Sequence, residues 1–166
     1  YAAIAHLNFN RNTKDDNATK ENDFYDEIDP SMKGISLDWA KTLLKGEFRK
    51  GLENIYGSHF FKLKELELKS FDPIIKKLVE EENKLKNKYT KIIAGAEIEF
   101  EGNTYNLSGL GPFHTDADRG IRKRSYEARF SFFEKNSEDL DIIYDKLVKL
   151  RHKMALRLGY TNYIPL

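Results

Sequence analysis

Apolar residues recur at spacings of three and four along most of this chain, the signature of helices that each bury one stripe. Residues 137–158 show it best. Leu140, Ile143, Tyr144, Leu147, Leu150, Met154 and Leu158 share a face there, Asn136 with Asp139 opens the run, and Gly159 closes it. Residues 72–93 begin with Asp72-Pro73, a cap followed by proline at the first helical position, and align Ile74, Leu78, Leu85, Tyr89 and Ile92. The segment 46–69 aligns Phe48, Leu52, Ile55, His59, Leu63 and Leu66, and predicts one helix with Gly51 and Gly57 inside it. Thr115 with Asp118 predicts a helix running to about Lys135, and a short helix is expected from Ser36 to about Leu44.

The first thirty residues repeat the spacing with a different chemistry. Ile4, Asn8, Arg11, Asp15, Ala18, Asn22, Tyr25 and Asp29 would form the seam of a single helix that ends at the Asp29-Pro30 step. That seam is largely polar, so it is either a solvated face or the wall of a cleft. One stretch departs from helical spacing: in EIEFEGNTYNL, Ile98 and Phe100 alternate toward a Gly102-Asn103 turn, and Tyr105 and Leu107 return. The expected fold is therefore mainly α, a multi-helix array or bundle with one small β-hairpin at about residues 96–107. No repeat period and no Pro/Gly/Ser linker divides the chain, so residues 1–166 read as one helical domain or fragment.

Composition narrows the functional classes. Apolar residues make up 40% and charged residues 33%, which is globular, and 28 basic against 27 acidic side chains leave a net charge of +1. No overall field draws such a chain to nucleic acid or to an anionic membrane, and neither partner is expected. Cysteine is absent, which removes disulfides, thiolate metal sites and thiol catalysis together. No apolar run is long enough to cross a membrane, and YAAIAHLNFNRN lacks the basic end and apolar stretch of a signal peptide, so the expected location is cytoplasmic.

The four histidines, His6, His59, His114 and His152, show no H-E-x-x-H or H-x-H spacing. His59 lies on an apolar stripe and reads as a hydrogen-bonded core residue, whereas His152 shares a polar face with Asp141, Asp145 and Lys149 and reads as solvated. SGLGPF lacks the lysine and helix context of a phosphate loop. In DRGIRKRSYEARF the geometry says more than the charge. Arg119, Arg122, Tyr126, Phe130 and Phe133 follow one stripe, and Ala117, Ile121, Ala128 and Phe132 follow another about 100° away. A helix with two apolar stripes lies between layers. Arg119 and Arg122 are then expected on a buried face, paired with carboxylates such as Glu82 or with the oxygens of a bound ligand.

Several strings resemble the upstream helical region of the oligoendopeptidase F family, relatives of thimet oligopeptidase. They are ENDFYDEIDP, YGSHFFKLKELELKSFDP and, after the hairpin, DRGIRKRSYEARFSFFEKNSEDLDIIYDKLVKLRHKMALRLGYTNY. The resemblance covers most of the chain and rests on the order and spacing of these strings. It implies a mostly helical, bowl-like zinc metallopeptidase that cleaves short peptides inside a deep channel, with the upstream helices forming much of one wall. It also implies a zinc held by the two histidines of an H-E-x-x-H helix and a downstream glutamate, with the motif's own glutamate activating water. None of those positions occurs in these 166 residues. No catalytic or metal-ligating residue carries over, and the segment alone is expected to bind no zinc and to be inactive. What carries over is the role of a channel wall, for which Asn8, Arg11, Asp15, Arg119 and Arg122 are the substrate-channel candidates. The implied partners are short peptides and the remaining catalytic part of the same chain. The alternative is a stand-alone helical binding or scaffold module without enzymatic activity.

The C-terminal stretch fits a piece of something longer. Ile142 and Leu156 lie opposite the main stripe of their helix, and Tyr160, Tyr163, Ile164 and Leu166 follow it with nothing obvious to pack against. Contiguous apolar surface usually marks an interface. The expectation is contact with following catalytic helices in the parent, and self-association or a disordered tail beyond Gly159 in the segment.

Overall fold

The computed structural model describes residues 1–166. It is 75% helical, with eight helices and one two-stranded antiparallel sheet, the mainly α fold with a small hairpin that the periodicity predicts. In chain order the elements are α1 (Ala2–Arg11), α2 (Asp16–Lys45), α3 (Arg49–Tyr56), α4 (Ser58–Ser70), a single 3-10 turn (Pro73–Ile75) leading into α5 (Lys76–Ala94), β1 (Ile98–Phe100), β2 (Asn103–Tyr105), α6 (Gly111–His114), α7 (Arg119–Lys135) and α8 (Ser137–Arg157).

Several expected boundaries move, each for a local physical reason. The polar seam of the first thirty residues is two helices. Asn12 leaves α1 in an extended conformation, and the Asp15 carboxylate accepts from the backbone N–H groups of Asn17 and Ala18 at 2.8 and 3.1 Å, capping α2. Pro30 does not end a helix: α2 runs through it to Lys45 and absorbs the expected short helix at 36–44. A proline leaves the carbonyl four residues earlier without its helical donor. That carbonyl belongs to Asp26, and the Asn83 side-chain amide donates to it at 3.4 Å. The single helix expected at 46–69 breaks at Gly57, whose φ of +82° suits glycine alone. The break resets the helical phase, so the expected stripe does not exist as a buried face: Phe48 and Ile55 are 72 and 73% exposed, and the buried residue is Phe61.

The hairpin forms one residue earlier than expected. Ile98 pairs with Tyr105 and Phe100 with Asn103, so the turn is Glu101-Gly102. Both have positive φ, as the twist of a two-residue hairpin demands. The α7 helix starts at Asp118, whose carboxylate accepts from Gly120 N–H at 2.6 Å, while Thr115 closes the short α6. Asn136 closes α7 and opens α8: its side-chain amide donates to Phe132 O at 2.8 Å, and its carbonyl accepts from Leu140 N–H at 3.0 Å, so the opening uses the backbone of Asn136 and not its side chain. Along α8 the buried positions are Ile143, Leu150, Met154 and Ala155, and Tyr144 points to solvent.

The residues group into two compact units, 1–23 with 84–146, and 24–83 with 147–166. In the first, β1 supplies Ile98 and Phe100 to a cluster with the fully buried Leu110, and Tyr105, Phe113, Ile121 and Phe132 pack around it. The Phe113 ring lies 4.9 Å from that of Phe100 and 5.2 Å from that of Tyr105. Arg124 of α7 holds the turn, donating Nε and Nη2 to Glu101 Oε1 at 3.1 and 2.7 Å. On α1 and α2, Ala5, Phe9, Ala18 and Asn22 are buried, and His6 Nδ1 lies 2.6 Å from Asn22 Oδ1.

In the second unit Leu37, Ala40, Leu44, Phe61, Phe71, Ile75, Leu78, Leu150, Met154 and Ala155 are buried. One charge is buried with them: Glu82, 9% exposed, accepts from Arg151 Nε at 2.7 Å. A carboxylate removed from water needs such a partner. Past α8 the chain turns through Gly159, where Gly159 N–H meets Leu156 O and Tyr160 N–H meets Ala155 O at 3.1 and 2.9 Å, a Schellman closure. The tail then finds partners in its own unit. Tyr160 OH donates to Lys69 O at 3.4 Å, and the Tyr163 ring lies 5.8 Å from the Arg151 guanidinium, while Ile164 stays in solvent.

The Pro30 account predicts a coupling. Asn83→Ala should destabilise the chain by about 0.5–1 kcal/mol, the usual net worth of one hydrogen bond. In a Pro30→Ala background, where residue 30 donates to Asp26 O itself, the same substitution should cost nearly nothing. Urea denaturation of the four proteins checks this double-mutant cycle.

Candidate substrate-facing site

The gap between α1 and α2 opens a cavity in the first unit. Asn10, Arg11, Asn12, Thr13 and Lys14 line one side, Tyr89, Thr90 and Ile93 from the end of α5 another, and Asn106, Leu107 and Ser108 after β2 complete a volume of about 390 Å³. Its lining is rich in hydrogen-bonding groups. Asn12 Oδ1 accepts from Lys14 N–H at 3.1 Å and Asn106 Oδ1 from Gly109 N–H at 2.7 Å, so these amides keep their NH2 groups for a ligand. Lys14 Nζ is 2.6 Å from Glu97 Oε1. The hydrogen bond from Lys14, reinforced by its charge, holds the Glu97 carboxyl below its ordinary value of 4.5. With Lys14 neutralised, the exposed Arg11 is the cation left to meet an acidic group. The arrangement can bind a peptide backbone or a carboxylate; its lining offers no nucleophile paired with a base.

Of the five residues expected to face a channel, Arg11 alone lines this cavity. Asn8 is half-buried on α1, and Asp15 is engaged as the cap of α2. The two arginines of α7 depart from expectation. Arg119 is exposed at the first turn, and Arg122, half-buried, donates Nη1 to Asp116 O and Ala117 O at 2.6 and 2.9 Å. Glu82 pairs with Arg151 instead. The cause is that Tyr126 and Phe130, on the same stripe, are exposed, so Arg119 and Arg122 do not continue a buried face. Arg122 is occupied with the carbonyls of the loop entering its own helix. The residues that periodicity missed are the loop residues 12–14, Asn106 and Ser108. NFNRNTK signals them in hindsight, because a run of Asn and Thr competes with helical hydrogen bonding.

The histidines do not assemble a metal site. His59 is exposed rather than in the core, since the break at Gly57 removes the face on which it was expected. His152 is exposed as expected, and the His114 ring stacks 4.3 Å from that of Tyr126. No three His, Asp or Glu side chains converge at ligand spacing, so the residues present do not fit a zinc ion. No helix is long and apolar enough to cross a membrane.

The same fold recurs in solved structures. A protein assigned as oligoendopeptidase F, with an X-ray structure at 3.1 Å, is 41% identical and superposes with a TM-score of 0.95 over 99% of this chain and 29% of its own. The peptidase M3 N-terminal domain family matches residues 1–71. The chain thus resembles the upstream part of oligoendopeptidase F. PZ peptidase A, solved with an inhibitor, is 42% identical with a TM-score of 0.94 over 99% of this chain and 29% of its own. A protein assigned as oligoendopeptidase F from Bacillus anthracis is 37% identical with the same TM-score over 99% and 30%. No curated protein matches in sequence. The chain thus spans under a third of the length of the family structures that it matches, in their upstream region.

The Lys14–Glu97 pair should show a definite pH dependence. A lowered folded-state value means that its contribution is complete above 4.5 and fades as acid protonates Glu97 through that lowered value. Glu97→Gln should therefore lower the denaturation midpoint slightly at neutral pH, since the pair is largely exposed, and the difference should be smaller at about pH 2, where more of the wild-type carboxyl is protonated. Urea titrations of both proteins at the two pH values check it.

Proposed function

We propose that this chain is the upstream, channel-wall part of a zinc-dependent oligoendopeptidase that hydrolyses short peptides. The observation that carries the reading is the pairing of 41% identity and a TM-score of 0.95 across 99% of the chain with only 29% of the relative covered. Similarity that dense extends beyond a shared helical architecture, and the partial coverage leaves ample chain elsewhere for a catalytic centre. The zinc and its ligands then belong to residues outside 1–166. Residues 1–166 contribute binding surface. Arg11 meets a substrate carboxylate at the polar cavity, and the amides of Asn12 and Asn106 address the peptide backbone. Asp15 supports that wall by capping α2 right after the cavity-lining loop 12–14.

An internally quenched peptide separates the parts of this reading. The whole polypeptide that contains this segment should hydrolyse it, lose activity to a chelator and regain it with zinc. Residues 1–166 alone should neither hydrolyse it nor retain stoichiometric zinc after dialysis. Tight zinc and hydrolysis by the segment would overturn the proposal, as would a whole polypeptide indifferent to chelation. In the whole polypeptide Arg11→Ala should raise KM about tenfold with kcat nearly constant, the loss of one charge-assisted contact made equally in ground and transition states.

A further inference from the structure

The long helix α2 carries two apolar faces in the second unit. One is buried: Pro30, Leu37, Ala40 and Leu44 lie on it. The other is open. Phe24, Ile28, Met32, Ile35 and Trp39 recur at intervals of four, four, three and four, and are between 39 and 66% exposed. At 100° per residue they fall within a narrow arc, roughly 150° from the centre of the buried face. Extended to Leu43 the stripe is about 28 Å long, the length of five helical turns. At that end it runs into an apolar cup of about 530 Å³ between α2 and α3, lined by Trp39, Leu43, Phe48 and Leu52. A stripe of one helical period ending in a cup large enough for an aromatic side chain is the geometry of a helix-in-groove contact.

The geometry points to a specific occupant: an amphipathic helix of the same polypeptide, outside residues 1–166, lying along the outer face of α2 with a large apolar side chain in the cup. This rests on the reading of the chain as part of a longer peptidase. More than two thirds of each matched family structure lies outside the part that this chain covers. Five large apolar side chains in register on one exposed helix face form a patch of the kind that soluble chains cover. Acidic side chains flank both halves of the stripe, Glu27 and Asp29 the first and Asp38 the second, all exposed, so the docking helix should carry basic residues along its edge.

Site-specific crosslinking in the whole polypeptide tests this. A photoreactive benzoylphenylalanine in place of Ile35, with a second protein carrying it in place of Lys41 on the polar flank, is irradiated and the crosslinked peptides are mapped by mass spectrometry. The expected result is a crosslink from position 35 to one segment outside residues 1–166 of the same chain, with helical apolar periodicity and Lys or Arg at its edge, in good yield and independent of protein concentration. Position 41 should give at most a tenth of that yield. A crosslink from position 35 to a second copy, one within residues 1–166, or none at all would overturn the inference. Peptide hydrolysis by the same preparation reports on the peptidase reading separately: an active enzyme with position 35 uncrosslinked sinks the docked helix alone, and an inactive, chelator-insensitive polypeptide sinks the reading beneath it.

Discussion

Two neighbouring side chains on α5, Glu82 and Asn83, hold together the helices of the second unit. Glu82 reaches Arg151 of α8 at 2.7 Å, and Asn83 reaches the Asp26 carbonyl of α2 at 3.4 Å. The first contact gives a buried carboxyl group its partner; losing Arg151 would leave that group without it and cost on the order of a few kcal/mol, moderated by the solvent still reaching the guanidinium. The second relieves a defect. A proline in a helix interior costs about 3 kcal/mol, part of it from the carbonyl left without a donor, and Asn83 supplies the donor. Because α2 continues past Pro30, the apolar positions from Phe24 to Leu43 stay in one helical phase. A break at Asp29 would have scattered them, and the outer face of α2 would carry no continuous stripe.

The helical architecture was legible wherever apolar spacing was backed by a local stop or start signal. Asp72-Pro73 opens the turn before α5, Gly159 closes α8, and Lys135 ends α7, because each signal acts on its own backbone. The misreadings share a cause as well. Pro30 reads as a terminator until a side chain 53 residues later supplies the missing donor. Gly57 reads as a tolerated glycine until its positive φ shows the chain turning there. Arg122 reads as a buried charge seeking a carboxylate, yet two carbonyls of its own approach loop satisfy it. Periodicity describes a helix face without saying what lies on it, and in α7 that face is open.

The candidate site was legible in kind and missed in detail. Arg11 belongs to a polar seam that presupposes one continuous helix; the helix is interrupted at residues 12–15, and the interruption creates the cavity that Arg11 lines. Asparagine and threonine make that gap by offering the backbone local partners, and the same groups then line it. Helix termination and a polar wall thus have one origin in NFNRNTK. On the other unit the outer stripe of α2 stays hidden as long as a helix is expected to end at Asp29, because Phe24 and Ile28 then fall in a different helix from Ile35 and Trp39.

If these 166 residues form one wall of a longer peptidase, its metal centre lies elsewhere in the polypeptide. Sequencing the transcript that encodes them is the decisive measurement. The expected result is a frame that continues beyond Leu166 and encodes an H-E-x-x-H motif on a helical pattern within a few hundred codons, with a further glutamate downstream. A stop codon immediately after Leu166, or a continuation without such a ligand set, would contradict it and favour a stand-alone helical binding module.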